Sequence, residues 1–129
     1  MRPAKLSGDS APEWHVWQHA LSWLFDQGRD VEALVVLPPT APLRSLEDVN
    51  GAIEMFLNNK CDGVVCGTDA HRNPLFNMVK LDDEQRCTLA MSRTARFSRR
   101  QDAPTFYDLT TVCYVMSPDY VRLHQHLFD

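Results

Sequence analysis

Arginine side chains are concentrated in one short stretch of the sequence. Arg93, Arg96, Arg99 and Arg100 fall within eight residues that contain no acidic side chain, whereas the chain as a whole has a net charge of −4 over 129 residues. A planar guanidinium group can bind two oxygens of a carboxylate or phosphate at once. The pattern therefore favours a small anionic ligand over a polyanion such as nucleic acid. A solvated arginine-rich loop is the alternative.

A second candidate is the proline-rich segment at residues 38–44, which follows a continuous apolar run at residues 33–37. Such a run is typical of a buried parallel strand, and ligands of open parallel sheets lie beyond the carboxyl ends of the strands. The prolines stiffen the segment and would hold Thr40 and Arg44 in place for an anion or a sugar hydroxyl. A rigid turn that binds nothing is equally compatible with the spacing.

Histidines and cysteines are weaker candidates. His15 and His19 have a spacing that can bind a metal, but no third ligand is evident, so a surface pair is favoured. The four cysteines match no zinc or redox motif, which predicts free thiols. They are Cys61, Cys66, Cys87 and Cys113. No elbow-type motif surrounds a serine or cysteine, so the sequence assigns no catalytic residue and no metal ligand.

Apolar periodicity places these candidates on alternating helices and strands. Ser45 and Asp48 have the form of a capping box, and Gly28 is a plausible helix stop. The predicted helices cover residues 12–27, 45–59 and 118–128, and the predicted buried strands cover residues 33–37, 63–67 and 111–115. Short links between helix and strand are typical of an α/β sheet with right-handed crossovers.

The predicted alternation of helices and strands stops after residue 68. Residues 76–81 alternate apolar and polar side chains, which predicts a half-exposed strand, and residues 87–90 could return antiparallel to it. We interpret residues 70–107 as an arm inserted into a single domain that spans residues 1–129. Arms of this type often build dimers, so we expect a homodimer or higher self-association.

No apolar run approaches the roughly 20 residues that cross a bilayer. The first residues also have no apolar signal-peptide core. We therefore expect a cytoplasmic protein that binds neither membrane nor nucleic acid.

Five segments, in order along the chain, resemble the acylneuraminate cytidylyltransferase (CMP-sialic acid synthetase) family. Residues 2–9 resemble "R-P-A-E-L-A-x-D", and residues 39–44 resemble the loop "Q-P-T-S-P-L-R". Residues 63–74 resemble the strand and loop that enter the family's dimerisation arm. Residues 99–107 resemble "R-R-Q-D-x-P-x-x-Y", and residues 111–115 take the place of "N-G-A-I-Y-I".

The resemblance implies a nucleotidyl transfer. The anomeric hydroxyl of an acidic nonulosonic sugar attacks the α-phosphate of CTP, and pyrophosphate leaves with the help of Mg²⁺. It also implies a Rossmann-like fold of the nucleotide-diphospho-sugar transferase type, with a mostly parallel sheet, helices on both faces and an inserted dimerisation arm. Sialic, pseudaminic and legionaminic acids are all compatible with the sequence.

By position, the resemblance implies that Arg2, Asp9 and Ala11 lie near the nucleotide. It also implies that Arg100 and Gln101 approach the acidic sugar across a dimer interface. The full predicted set of sugar-binding residues comprises Thr40, Arg44, Arg99, Arg100, Gln101 and Tyr114.

The chain also departs from the family pattern. Pro38 replaces a glutamine, Thr110 and Thr111 replace the "N-G" pair, and the lysine that some relatives carry in the arm falls at Phe76. Neither the family's Gly/Ser/Lys-rich triphosphate loop nor its acidic metal-binding segment has a counterpart. We therefore expect a truncated, partial cytidylyltransferase that is inactive and binds no Mg²⁺ alone. The alternatives are a non-catalytic dimeric binding module that reuses the scaffold, and a small hydrolase or metal protein that uses its histidines.

Overall fold

The structure, a computed structural model, describes residues 2–92 and 99–129 as a small α/β protein. Its helices and strands run in the order α1 (Glu13–Asp26), β1 (Leu34–Val36), α2 (Leu46–Asn58), β2 (Gly63–Asp69), β3 (Val79–Leu81), β4 (Cys87–Leu89), β5 (Tyr107–Met116) and α3 (Pro118–Leu123). Single 3₁₀ turns lie at Ala4–Leu6 and Arg100–Asp102.

The chain divides into two compact units. The first unit comprises Met1–Cys66 and Thr111–Asp129, and the second unit comprises Gly67–Thr110. The predicted role of residues 70–107 as a dimerisation arm within one domain stays a prediction. Within the described residues, no helix combines the length and apolar character needed to cross a membrane.

The three-stranded sheet has β5 at its centre, between β1 and β2. β1 runs antiparallel to β5, with Leu34 opposite Met116. On the other side, the Ser117 amide donates to the Asp62 carbonyl at 2.8 Å, and Cys66 Sγ lies 3.6 Å from Cys113 Sγ. The contact made later on β2, at Cys66, is thus the one made earlier on β5, at Cys113. The two strands therefore run antiparallel as well.

The predicted mostly parallel sheet is therefore not observed among the described residues. A continuous apolar run reports burial on both faces of a strand and carries no information about strand direction. Direction depends on the connection, and the described part of the segment between β2 and β5 contains a hairpin of β3 and β4 and no crossover helix. β5 also begins at residue 107 instead of 111.

Helices cover both faces of this sheet, as predicted. Met116 packs with Trp14, Trp17 and Leu21 of α1, in a cluster that Tyr114 joins from the same strand. We call this set the α1 cluster.

The opposite face of β5 packs against α2. Cys113 and Val115 form a cluster with Val49 and Ala52, which lie one helical turn apart on α2. We call this set the α2 cluster. Strand alternation explains the two clusters, because successive side chains of β5 point to opposite faces.

The start of α2 and the end of α1 lie where the sequence predicts them. The Ser45 hydroxyl accepts a hydrogen bond from the Asp48 amide at 3.0 Å, which caps α2. Gly28 follows α1 with a φ of +68°, a conformation that favours glycine, and its amide donates to the Phe25 carbonyl. Leu46 lies at the first position of α2 and is exposed.

The final helix is shorter than predicted and ends at Leu123 instead of residue 128. The Asp129 carboxylate accepts hydrogen bonds from the amides of Gln125 and His126, at 2.6 and 2.9 Å. These bonds hold residues 124–129 in a turn and keep the pKa of Asp129 below its ordinary value. The local side-chain acceptor thus competes with helix continuation.

The second unit contains the hairpin of β3 and β4, in which Val79 pairs with Leu89. Arg86 donates to Asp82 at 2.8 Å, and this contact is the first cause of the lowered pKa of Asp82. β3 begins three residues later than predicted, because the amides of residues 76–78 all donate to the Asn73 carbonyl. That turn uses the donors that a strand would need.

Candidate functional site

The loop at residues 38–44, which follows β1, is stabilised by hydrogen bonds from its own Arg44. Arg44 Nε donates to the Ala41 carbonyl at 2.8 Å, and a terminal nitrogen of the same guanidinium donates to the Pro38 carbonyl. Part of the hydrogen-bonding capacity of Arg44 is therefore spent on loop structure. Its predicted contact with a ligand stays a prediction.

Thr40 connects this loop to the central strand. Its hydroxyl lies 3.2 Å from the hydroxyl of Thr111, and both residues are exposed. Two adjacent hydroxyls can each donate and accept, so they could bind a polar ligand together. Thr111 is one of the two residues that replace the family's "N-G" pair. This replacement places a hydroxyl side chain next to Thr40.

Tyr114 lies away from Arg44. Its ring packs against Trp17, with centroids 5.8 Å apart, in the α1 cluster. Arg44 instead donates to a carbonyl of its own loop, and Thr40 of that loop contacts Thr111. Thr111 and Tyr114 are three positions apart on β5, so their side chains point to opposite faces of the strand. The structure therefore does not bring Tyr114 together with this loop.

Tyr114 instead lines a cavity of about 590 Å³ in the first unit. Trp14 and Trp17 contribute aromatic walls, and His15 and His126 contribute imidazoles. The remaining lining residues are Pro12, Glu13, Gln125 and Leu127. The cavity is mainly aromatic, and the sequence did not predict that the two histidines share it.

The predicted nucleotide-binding residues lie at the start of the chain. Arg2 Nε donates to the Leu6 carbonyl across the first 3₁₀ turn. The Ala11 amide donates to the Gly8 carbonyl at 3.0 Å, and Asp9 is exposed on the turn between them. Their contact with a nucleotide stays a prediction.

The arginine-rich stretch is only partly described. Arg93 and Arg96 lie outside the described residues, and so does the side chain of Arg100. Arg99 forms a two-pronged pair with Asp102, at 3.1 and 3.2 Å. An acid within the predicted motif therefore already occupies this guanidinium.

Gln101, by contrast, lines a cavity of about 580 Å³ that lies entirely within the second unit. Arg72 and Asp69 bring opposite charges to its wall, and Thr105 brings a hydroxyl. The remaining lining residues are Ala70, Asn73, Ala103, Pro104 and Phe106. Polar groups of several types beside apolar surface could contact a polar small molecule.

Asn73 braces this cavity. It is buried, and its side-chain amide donates to the Pro104 carbonyl at 2.9 Å while its oxygen accepts from the Leu75 amide. Asp69, Arg72 and Asn73 were not predicted as site residues from the sequence. Asp69 could have been found as the last residue of a strand, and Asn73 as a turn residue before proline.

The prediction of free thiols is confirmed. Cys113 is fully buried, and this burial raises the pKa of its thiol to about 11, with the Cys66 sulfur at 3.6 Å adding to the effect. A neutral, inert thiol suits a core position better than a catalytic one.

Among residues 2–92 and 99–129, no group of three or more His, Cys, Asp or Glu side chains is arranged to hold a metal ion. The expectation that this chain binds no Mg²⁺ alone stays a prediction.

Two curated proteins are similar to this chain. It is 30% identical over 128 residues to post-translational flagellin modification protein B of Campylobacter coli. It is also 30% identical over 128 residues to CMP-N,N'-diacetyllegionaminic acid synthase of Campylobacter jejuni subsp. jejuni. The resemblance to the acylneuraminate cytidylyltransferases is confirmed.

The match to these relatives covers 98% of this chain but 53% of each relative. The chain thus spans about half the length of the curated relatives it matches. No protein-family model matches it. The motifs quoted above and the cavity at Gln101 are the features of this chain that bear on function.

Proposed function

We propose that this chain binds an acidic nonulosonic sugar and takes part in the transfer of CMP from CTP to that sugar. The observation that carries the proposal is the cavity at Gln101. A family motif predicted Gln101 as a sugar contact, and polar side chains of several types line this cavity. The name of the Campylobacter jejuni relative favours a legionaminic acid derivative as the sugar.

The cavity suits such a ligand in size and chemistry. Its volume of about 580 Å³ lies within the range of small-molecule sites. A nonulosonic acid has hydroxyls, acylated amines and one carboxylate, and the cavity provides donors, acceptors and one cation for them. The apolar part of the wall, including Phe106, matches the methyl groups of acyl substituents.

We propose that the nucleotide binds near Arg2, Asp9 and Ala11, with Mg²⁺ arriving with CTP rather than held by this chain. We also propose that these 129 residues bind the sugar without transferring CMP. A triphosphate needs several backbone donors and a lysine at one loop, and Lys5, Lys60 and Lys80 are isolated from one another along the sequence.

We further propose that the chain self-associates through the second unit. Met78, Val79 and Leu81 of the hairpin are exposed, and exposed apolar side chains on a two-stranded ribbon favour contact with a second copy.

The proposal is tested with the full purified chain by calorimetric titration of sialic, pseudaminic and legionaminic acids. We expect saturable binding of at least one sugar. Gln101→Ala should weaken that binding about 3- to 10-fold, as for a neutral hydrogen bond. The matched control is Gln27→Ala, a glutamine exposed at the end of α1. The same samples, given CTP and Mg²⁺, are assayed for CMP-sugar by chromatography and for mass by sedimentation.

Sugar binding without CMP-sugar would support both parts of the proposal. Formation of CMP-sugar by the chain alone would support the reaction and overturn the proposed incapacity. Absence of binding to every acidic sugar would overturn the function itself. A purely monomeric chain at micromolar concentration would overturn the proposed self-association.

A further inference from the structure

We propose that Arg72 binds the carboxylate of the acidic sugar and thereby makes the cavity of the second unit selective for acids. This inference rests on the proposed function and assigns a specificity role to a residue that the family motifs did not indicate. Arg72 is exposed and lines the cavity, opposite in charge to Asp69.

Arg72 differs from the other described arginines of the second unit in the use of its guanidinium. Arg99 is paired with Asp102, and Arg86 is paired with Asp82 and Glu84 at 2.8 and 2.6 Å. Within the described part of the chain, Arg72 forms no such ion pair. Arg72 thus lines the cavity without an ion pair to a carboxylate of the described residues.

The backbone next to Arg72 is fixed. Asn73 is only 8% exposed, and its side-chain amide donates to the carbonyl of Pro104, which also lines the cavity. The Asn73 backbone amide also donates to the side-chain oxygen of Asn77 at 2.7 Å. Since Arg72 extends from a braced backbone, less conformational freedom is lost when its side chain binds an anion.

The polar groups of the cavity define an orientation for the sugar. Asp69 repels a carboxylate but accepts hydrogen bonds from hydroxyl and amide groups. A sugar acid would therefore turn its carboxylate towards Arg72, whose planar guanidinium matches two oxygens. Its hydroxyls and acylamino groups would then face Asp69, Gln101 and Thr105.

The test compares a sugar acid with its own methyl ester, which keeps the shape and removes the charge. Both are titrated calorimetrically against the full wild-type chain, Arg72→Gln and Arg72→Lys. The wild type should bind the acid at least about 10-fold more tightly than the ester, as for charged hydrogen bonds. Arg72→Gln should lose that preference while its affinity for the ester stays unchanged. Arg72→Lys should keep part of the preference, because the charge remains but the two-pronged geometry is lost.

The matched control is Arg86→Gln, which removes a cation of the same unit that does not line the cavity. It should keep the full preference for the acid. If Arg72→Gln also keeps the full preference, or if the wild type does not distinguish acid from ester, the inference fails while sugar binding stands. If the wild type binds neither acid nor ester, the proposed function fails and the inference with it. Should Arg72→Gln not fold, the ratio of acid to ester affinity in Arg72→Lys decides, and an unchanged ratio overturns the inference.

Discussion

The two units of this chain bury different kinds of residue. All the buried hydrophobic side chains among the described residues belong to the first unit, and most of them form the α1 and α2 clusters. The buried residue that the structure describes in the second unit is polar, Asn73. The first unit is therefore stabilised mainly by apolar burial, and the described part of the second unit by local hydrogen bonds.

The first unit therefore provides the scaffold, and the second unit contains the candidate site. A packed two-faced sheet holds its shape through many weak contacts, so it tolerates few changes of volume. The cavity at Gln101 lies in the unit with little apolar burial, where polar side chains remain accessible to a ligand. Regions with few buried apolar contacts also open locally at a lower free energy than the core does.

The largest expected effect is in the α1 cluster. Leu21→Ala should lower the free energy of unfolding by about 2–5 kcal/mol, because Leu21 is fully buried and its removal leaves a cavity. Denaturant unfolding of both proteins measures this loss. The matched control is Leu43→Ala, where the side chain is 97% exposed and the change should stay within about 0.5 kcal/mol. Equal losses in the two variants would contradict the assignment of the core.

A smaller effect is expected at alkaline pH from the α2 cluster. The pKa of the Cys113 thiol is raised from about 9 to about 11 in the folded protein, first by burial. Between these pH values the unfolded chain releases the thiol proton and the folded chain retains it. The free energy of unfolding should therefore fall, by on the order of 2 kcal/mol, as pH rises from 9 to 11. Below pH 9 both states keep the proton and the group has no effect.

The control for this pH dependence is Cys113→Ser, whose hydroxyl does not titrate in this range. Lysine and tyrosine side chains ionise in both proteins and cancel in the comparison. Denaturant unfolding at several pH values should show the steeper alkaline decline only in the wild type. Parallel curves would mean that Cys113 is accessible to solvent in the folded state.

The sequence predicted the elements of the first unit better than their arrangement. Apolar periodicity identified the helix at residues 12–27, and Ser45 identified the start of α2, because both signals are local. The antiparallel direction of β5 depends on the path of the chain between β2 and β5, which no local pattern encodes. The shared cavity of His15 and His126 likewise requires two segments that are distant in sequence.

The site was predicted only in part. Gln101 came from the family resemblance, but Arg72 and Asp69 were missed because an isolated charged residue in a loop or at a strand end has no periodicity to interpret. Arg44 and Arg99 were predicted as ligand contacts from their charge and from the sequence motifs around them. The structure shows that nearby carbonyls and Asp102 use part or all of their hydrogen-bonding capacity, and sequence spacing does not reveal such competition.

The smallest effect should arise in the second unit, at Asn73. Asn73→Ala removes the hydrogen bonds to the Pro104 carbonyl and the Leu75 amide, which should cost about 1–2 kcal/mol. Because the bonds are local, the loss should appear as faster amide hydrogen exchange at residues 75–78, with little change at α1. Asn50→Ala, an exposed position on α2, is the matched control and should leave exchange in both units unchanged. If Asn73→Ala accelerated exchange equally in α1, the two units would unfold as one, and the contrast between an apolar scaffold and a hydrogen-bonded site would be wrong.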